Sequence, residues 1–374
     1  MQDLFSQRLG VPAESLATPV SMIFSLIILT FAITTLFGGM LQDPIGPQKV
    51  TLIGGLLLGG GLILASQAST IGQIYLFYGV ISGTGMGFAY ITPLATCNKW
   101  FPDKKGIVSG FVVAGMGIGT LVFTPIGRLM VLNRGVLSTW LILGLVFMAL
   151  ISFGALFLKL PPDGATDAKP PGRQQLKSDT RLKDYSQAQM LRTSAFYLIW
   201  FMFLIGSGAG LMVIGLAAPI GQELAGLTAG QAAGVVSLLG VFNVSGRILW
   251  GAVSDRFGRT KVLFSMFILT SLSLLMLSIS TSLFPLVFAF ASITLCFGGF
   301  LAVFPATTAE FFGTKNLGGN YGLVYIAYGI GGTGGMYMGS ILPLTTAFVV
   351  AGICCLGGAG LALMTRAPAK PTQS

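Results

Sequence analysis

The chain contains no histidine, and only 9% of its 374 residues are charged. The first absence removes the commonest metal ligand and the usual imidazole acid–base chemistry. The second excludes an ordinary soluble protein, in which about 25% of residues carry charge. Cysteine is sparse as well: Cys97, Cys296, Cys354 and Cys355 lie in or at the ends of apolar runs, without zinc or thioredoxin spacing. Neither a metal centre nor a redox pair is expected. No histidine cluster, serine nucleophile arrangement or organic-cofactor motif is identifiable, which argues against a membrane enzyme.

What is present is apolar: 53% hydrophobic residues, 28 of them phenylalanine, with 53 glycines and 17 prolines. Runs of about 20 apolar residues match the hydrocarbon thickness at 1.5 Å per helical residue. Membrane helices use small residues for close packing and tolerate proline where neighbours satisfy the freed backbone groups. The composition therefore predicts an all-α polytopic membrane protein. Its apolar runs predict spans near 17–38, 50–68, 71–95, 107–132 and 136–158, then near 193–219, 229–250, 261–280, 284–307, 319–341 and 343–365.

The formal charge of +10 raises nucleic-acid binding as a reading, but its distribution favours membrane topology. If the first span exits toward the cytoplasm, 17 of the 21 basic residues fall in cytoplasmic segments, and only Arg8, Arg128 and Arg134 fall outside. This predicts a multi-pass protein of the inner or plasma membrane, with the central linker and the C-terminus cytoplasmic and no nucleic-acid partner. The segment 160–192 contains Pro161, Pro162, Pro170 and Pro171 among mixed charges and reads as a linker. Contact of its basic residues with lipid headgroups is the weaker reading beside a solvated positive-inside loop.

An internal repeat supports two bundles, 1–159 and 193–366. Gly39, Asp43, Gly46, Lys49 and Val50 recur 212 positions later as Gly251, Asp255, Gly258, Lys261 and Val262. The same offset relates Gly87 to Gly299, Pro93 to Pro305, Gly106 to Gly318 and Gly110 to Gly322. Applied to the helix near 193–219, it places that helix's partner mostly before residue 1. The expectation is two six-helix bundles, with the first helix missing from the sequence as given.

Two groups of residues carry candidate chemistry. In the run GAVSDRFGRTK, Asp255, Arg256 and Arg259 sit at a helix boundary, where carboxylate–guanidinium pairs can latch helix ends. The first copy keeps Asp43 but replaces the arginines with Pro44 and Pro47, so a latch there is expected to be weaker or to rely on Lys49. A generic charged turn is the plain alternative. Arg247 lies within an apolar span with no acidic residue at i±3 or i±4. A cation there must face water, a polar group or a substrate. Its planar fork can bind a carboxylate bidentately, with Asn243 one turn earlier positioning it; snorkelling to the interface is the competing reading.

The segments NKWFPDKKG (Asn98 to Gly106), FNVSGRILWGAVSDRFGR (Phe242 to Arg259) and FFGTKNLGGNYG (Phe311 to Gly322) resemble the major facilitator superfamily. More narrowly, they resemble the oxalate/formate antiporter family and related bacterial monocarboxylate transporters. The resemblance implies the superfamily fold and secondary active transport of a small organic anion. It implies a substrate-binding role for Arg247, a cavity-lining role for Tyr90, and a cation site at the position held here by Tyr328, where oxalate transporters carry lysine. Tyr325 and Tyr328, three residues apart, can present hydroxyls to the anion and rings to its carbon chain. Phe297 and Leu301 stand where oxalate-transporting relatives have larger aromatic or hydroxyl-bearing side chains.

With one intramembrane cation instead of two, a monocarboxylate such as lactate or pyruvate is expected over oxalate. Alternating access with proton symport is the expected mechanism, and oxalate/formate-type exchange is the alternative. A non-transporting receptor is the more remote reading. A small organic carboxylate, a proton and membrane lipids are the expected partners, without an obligate protein partner.

Overall fold

The computed structural model describes residues 17–162, 184–217, 229–280 and 282–368. Most of the proline-rich linker expected at 160–192 thus lies outside the described residues. The regular elements described are helical: α1 (Ala17–Ile45), α2 (Pro47–Ser66), α3 (Ile71–Trp100), α4 (Lys105–Ala155), the short α5 (Gln187–Leu191), α6 (Ser194–Gly215), α7 (Ala229–Phe257), α8 (Arg259–Ile279), α9 (Leu283–Phe312), α10 (Leu317–Ile341) and α11 (Leu344–Met364).

Eight of these helices are long and apolar enough to cross a membrane. Helices α7 and α10 are not among them. Both are diluted by polar and glycine residues, including Asn243 and Arg247 on α7 and the tyrosines on α10. These two helices hold Asn243, Arg247, Tyr321, Tyr325 and Tyr328 of the polar site.

The repeat is visible in the backbone. Shifting the bounds of α1 by 212 positions gives those of α7. The two helices end at equivalent glycines, Gly46 (φ 88°, ψ 152°) and Gly258 (φ 91°, ψ 149°). Positive φ at both junctions requires glycine and lets a second helix start one residue later. Helices α3 and α9 each carry the equivalent interior proline, Pro93 and Pro305. The chain is accordingly an all-α polytopic protein of two pseudo-symmetric bundles, joined where α1 packs on α10 and, by the same symmetry, α7 packs on α4.

Gly135 (φ 79°, ψ 166°) divides α4 into two helical arms, at the junction between the spans expected near 107–132 and 136–158. A single glycine makes the reversal, because its missing Cβ permits a conformation that other residues avoid. In α3 the backbone widens to π-helical hydrogen bonding over Tyr75–Ser82, and the Ser82 hydroxyl donates to the Phe77 carbonyl at 3.2 Å.

Candidate substrate site and gate

The centre of the molecule is an aromatic cluster closed by one cation. Helix α7 presents Asn243 and Arg247 one turn apart, and the Arg247 side chain is buried, with the residue 6% exposed. Its Nε donates to Asn243 Oδ1 at 3.0 Å, the pairing that the i, i+4 spacing suggests. Its Nη1 crosses to the other bundle and donates to the Val113 carbonyl of α4. Snorkelling does not describe this side chain, which is held by neutral oxygens inside the protein. Among the described residues, no carboxylate pairs with it.

Close approach of α4 and α7 makes that crossing possible. A Cβ added at Gly110 would run into the Arg247 carbonyl, and one at Gly117 would lie 3.4 Å from Arg247 Cζ. The two glycines on one face of α4 are what bring a guanidinium within reach of a backbone oxygen of the opposite bundle.

The tyrosines gather around the same point. Tyr90, Tyr325 and Tyr328 lie near the Arg247 guanidinium. The Tyr90 and Tyr325 rings lie 5.0 Å apart, centroid to centroid, and Tyr325 stacks on Tyr328 at 4.7 Å. Phe297 stacks on Tyr328 at 6.4 Å, and Leu301, one turn further along α9, is buried. The hydroxyls of Tyr90, Tyr321 and Tyr325 are buried together, that of Tyr90 facing both Tyr321 and Tyr325. Each hydroxyl is both donor and acceptor, so the group can rearrange around a polar guest.

Several members of the cluster escaped the sequence reading. Phe31 of α1 packs edge-on against Tyr90 at 5.3 Å and Tyr325 at 5.2 Å, and Phe203 of α6 meets Tyr325 at 5.9 Å. Nothing distinguishes either phenylalanine within its apolar run. Tyr321 carried a usable signal, since it precedes Tyr325 by one helical turn.

At the end of the bundles where Gly46 and Gly258 turn the chain, the second-half motif forms a cross-bundle latch. The Asp255 carboxylate accepts the N–H of Gly106 and that of Ile107, both at 2.9 Å, and so caps the N-terminus of α4 from the opposite bundle. Arg259 fixes Asp255 through Nη2 at 2.6 Å, donates to Glu310 through Nε at 3.0 Å, and contacts the Ser254 hydroxyl. Lys105 Nζ donates to the Ala309 carbonyl at 2.9 Å, placing a cation in the last turn of α9. The sequence reading did not single out Lys105, one of two adjacent lysines.

Among the described residues Arg256 forms no ion pair with the latch; it is exposed, its guanidinium 5.6 Å from the Phe257 ring centroid. In the first half, Asp43 pairs with Lys99 at 3.0 Å within its own bundle. Lys49, expected as its support, is exposed and forms no ion pair among the described residues. The backbone approach of α1 and α10 at Gly39 and Gly318 is matched by that of α7 and α4 at Gly251 and Gly106, so the halves differ in the carboxylate cap and not in the glycine contact.

Comparison with known proteins accounts for this architecture. The family model described as Major Facilitator Superfamily matches residues 4–253 and 207–374. An uncharacterized MFS-type transporter, YhjX, of Escherichia coli is 33% identical, over 88% of this chain and 80% of its own. The oxalate:formate antiporter of Oxalobacter formigenes is 32% identical, over 84% of this chain and 75% of its own. Homology extends to the monocarboxylate transporters. Among solved structures, the fucose:proton symporter FucP of E. coli superposes with a TM-score of 0.72 at 14% identity, covering 94% of this chain and 92% of that one.

Proposed function

The chain belongs to the major facilitator superfamily, and from that premise we propose that it is a secondary active transporter of small organic anions. Its substrate in this reading is a monocarboxylate such as lactate or pyruvate, carried by alternating access with proton symport. The observation behind the proposal is Arg247, a buried guanidinium whose described hydrogen-bond acceptors are the neutral oxygens of Asn243 and Val113. A buried cation without a counter-charge is costly, and a carboxylate supplies both the charge and two oxygens matched to the guanidinium fork.

The surroundings favour a small, singly charged guest. The buried hydroxyls of Tyr90, Tyr321 and Tyr325 offer donors, and the rings of Tyr328 and Phe297, with buried Leu301, offer an apolar wall for a short carbon chain. Among the described residues of this cluster Arg247 is the one cation, so a second carboxylate would be desolvated without a partner.

In this proposal the bundles 1–159 and 193–366, joined by the linker 160–192, rock about the bound anion, and anion contacts bias closure. The end bearing Lys99, Lys105, Asp255 and Arg259 faces the cytoplasm of an inner or plasma membrane, as the positive-inside distribution suggests. Asp43, Asp255, Arg256 and Arg259 belong to the moving gate, with the Asp255 and Arg259 contacts as its principal latch. Entry of an anion against an inside-negative potential of about 100 mV costs about 2.3 kcal/mol per charge, a cost that a co-transported proton removes.

Exchange is the second reading, and the relationship to an oxalate:formate antiporter favours it. Labelled lactate uptake into proteoliposomes separates the two. Stimulation by an acidic exterior without internal anion supports symport, and a requirement for internal anion supports exchange. Absence of saturable lactate uptake under both conditions contradicts the substrate assignment.

A further inference from the structure

The Val113 carbonyl occupies an unusual place. It belongs to a continuous stretch of α4, yet it accepts a hydrogen bond from a guanidinium that arises on α7 in the other bundle. Across the described residues, Arg247 is thus both the candidate anion site and a tie between the two bodies that must separate during transport.

The tie depends on close packing of α4 on α7. A Cβ at Gly110 would run into the Arg247 carbonyl and one at Gly117 would lie 2.5 Å from Val244 Cγ2, while the Gly117 position meets Arg247 Cζ and Nη1 at ordinary contact distances of 3.4 and 3.5 Å. The Nε of Arg247 is meanwhile held by Asn243 within α7, leaving Nη1 and Nη2 as the edge that faces out of its own helix.

We propose that the Val113 carbonyl holds, in the conformation described, the place that a substrate carboxylate oxygen takes on Arg247. A carboxylate arriving at the guanidinium takes over Nη1, because a charged acceptor forms the stronger hydrogen bond. Val113 is then released to its own helix, and the bundle-to-bundle tie is lost in the same step that binds the anion. Substrate occupancy and freedom of the bundles to move are thereby linked through one donor nitrogen. This mechanism rests on the carboxylate reading of Arg247, but the tie itself exists without substrate and is tested without it.

The test uses the full chain, with its four native cysteines replaced and spin labels at Leu132→Cys and Phe284→Cys. Both sites are exposed, at 72% and 81%, and lie on opposite bundles. The parent and Arg247→Gln are compared in lipid nanodiscs, first without lactate and then with saturating lactate.

The expected result is a broadened inter-bundle distance distribution in Arg247→Gln without lactate, and the same broadening in the parent when lactate is added. A lactate-free distribution in Arg247→Gln that overlays the parent's overturns the tie, whatever the substrate is. An unchanged parent distribution on lactate binding overturns the displacement mechanism. Absence of lactate binding in the parent contradicts the substrate reading instead, and the distance measurement still decides the tie.

Discussion

The Asp255 carboxylate caps Gly106 across the bundle interface, accepting its N–H at 2.9 Å while the second oxygen takes that of Ile107. Both amides belong to the first turn of α4, where four N–H groups have no partner within the helix and the dipole is positive. A single carboxylate on α7 therefore supplies hydrogen bonds and charge to a helix of the other body. Asp255→Asn keeps the shape but loses the charge and one acceptor. It is expected to slow lactate counterflow about tenfold, from a loss of about 1–2 kcal/mol in the latch. The corresponding change Asp43→Asn, which breaks only the Lys99 pair inside one bundle, is expected to alter counterflow less than threefold, as for an exposed pair.

Arg259 reaches Asp255, Glu310 and Ser254 with separate nitrogens of one fork. Lysine retains the charge but not the simultaneous geometry. Arg259→Lys is expected to reproduce most of the Asp255→Asn defect, and the double variant to be little worse than either, since the residues act as a unit. Additive losses in a double-mutant cycle of counterflow rates contradict the shared latch.

Much of this was legible in the sequence, for physical reasons that differ by site. The one offset of 212 positions predicted paired turns because positive φ demands glycine, and Gly46 and Gly258 adopt nearly the same backbone angles. Arg247 announced itself by charge in an apolar span, and Asn243 by lying one turn away. The partners supplied by backbone were not legible. Neither the Val113 carbonyl nor the Gly106 amide leaves a trace in residue type, and the pairing of Asp43 with Lys99 in place of Lys49 joins helices 56 positions apart. Phe31 and Phe203 were hidden because aromatic residues are common throughout the spans.

Tyr185 anchors the start of the second bundle. It is 2% exposed, its N–H donates to the Phe312 carbonyl at 2.9 Å, and its own carbonyl accepts from Asn316 and Asn320 at 2.9 and 3.0 Å. Its ring meets that of Phe312 edge-on at 5.6 Å. Tyr185→Ala leaves the backbone bonds but empties the ring's place, at a cost of about 3 kcal/mol or more, as for other large buried aromatics. A lower Tm in detergent with an unchanged lactate Kd is expected. A change in Kd at constant Tm contradicts a purely anchoring role.

Tyr328 lies in the central cluster, stacked between Tyr325 and Phe297. Lysine at this position adds a second cation beside Arg247, which a dianion can use and a monoanion cannot. Tyr328→Lys is expected to shift competition in favour of oxalate over lactate by at least about tenfold, one well-placed charge-assisted hydrogen bond. An unaltered preference contradicts the single-cation explanation of selectivity.

The central claim is that Arg247 recognises a carboxylate, and direct lactate binding to purified protein in nanodiscs tests it with the least intervening assumption. Arg247→Gln preserves much of the side chain and its hydrogen-bonding capacity while removing the charge. The account predicts saturable lactate binding by the parent protein and its loss in Arg247→Gln, with the Tm of the variant within a few degrees of the parent. Equal lactate affinity in the two proteins contradicts it.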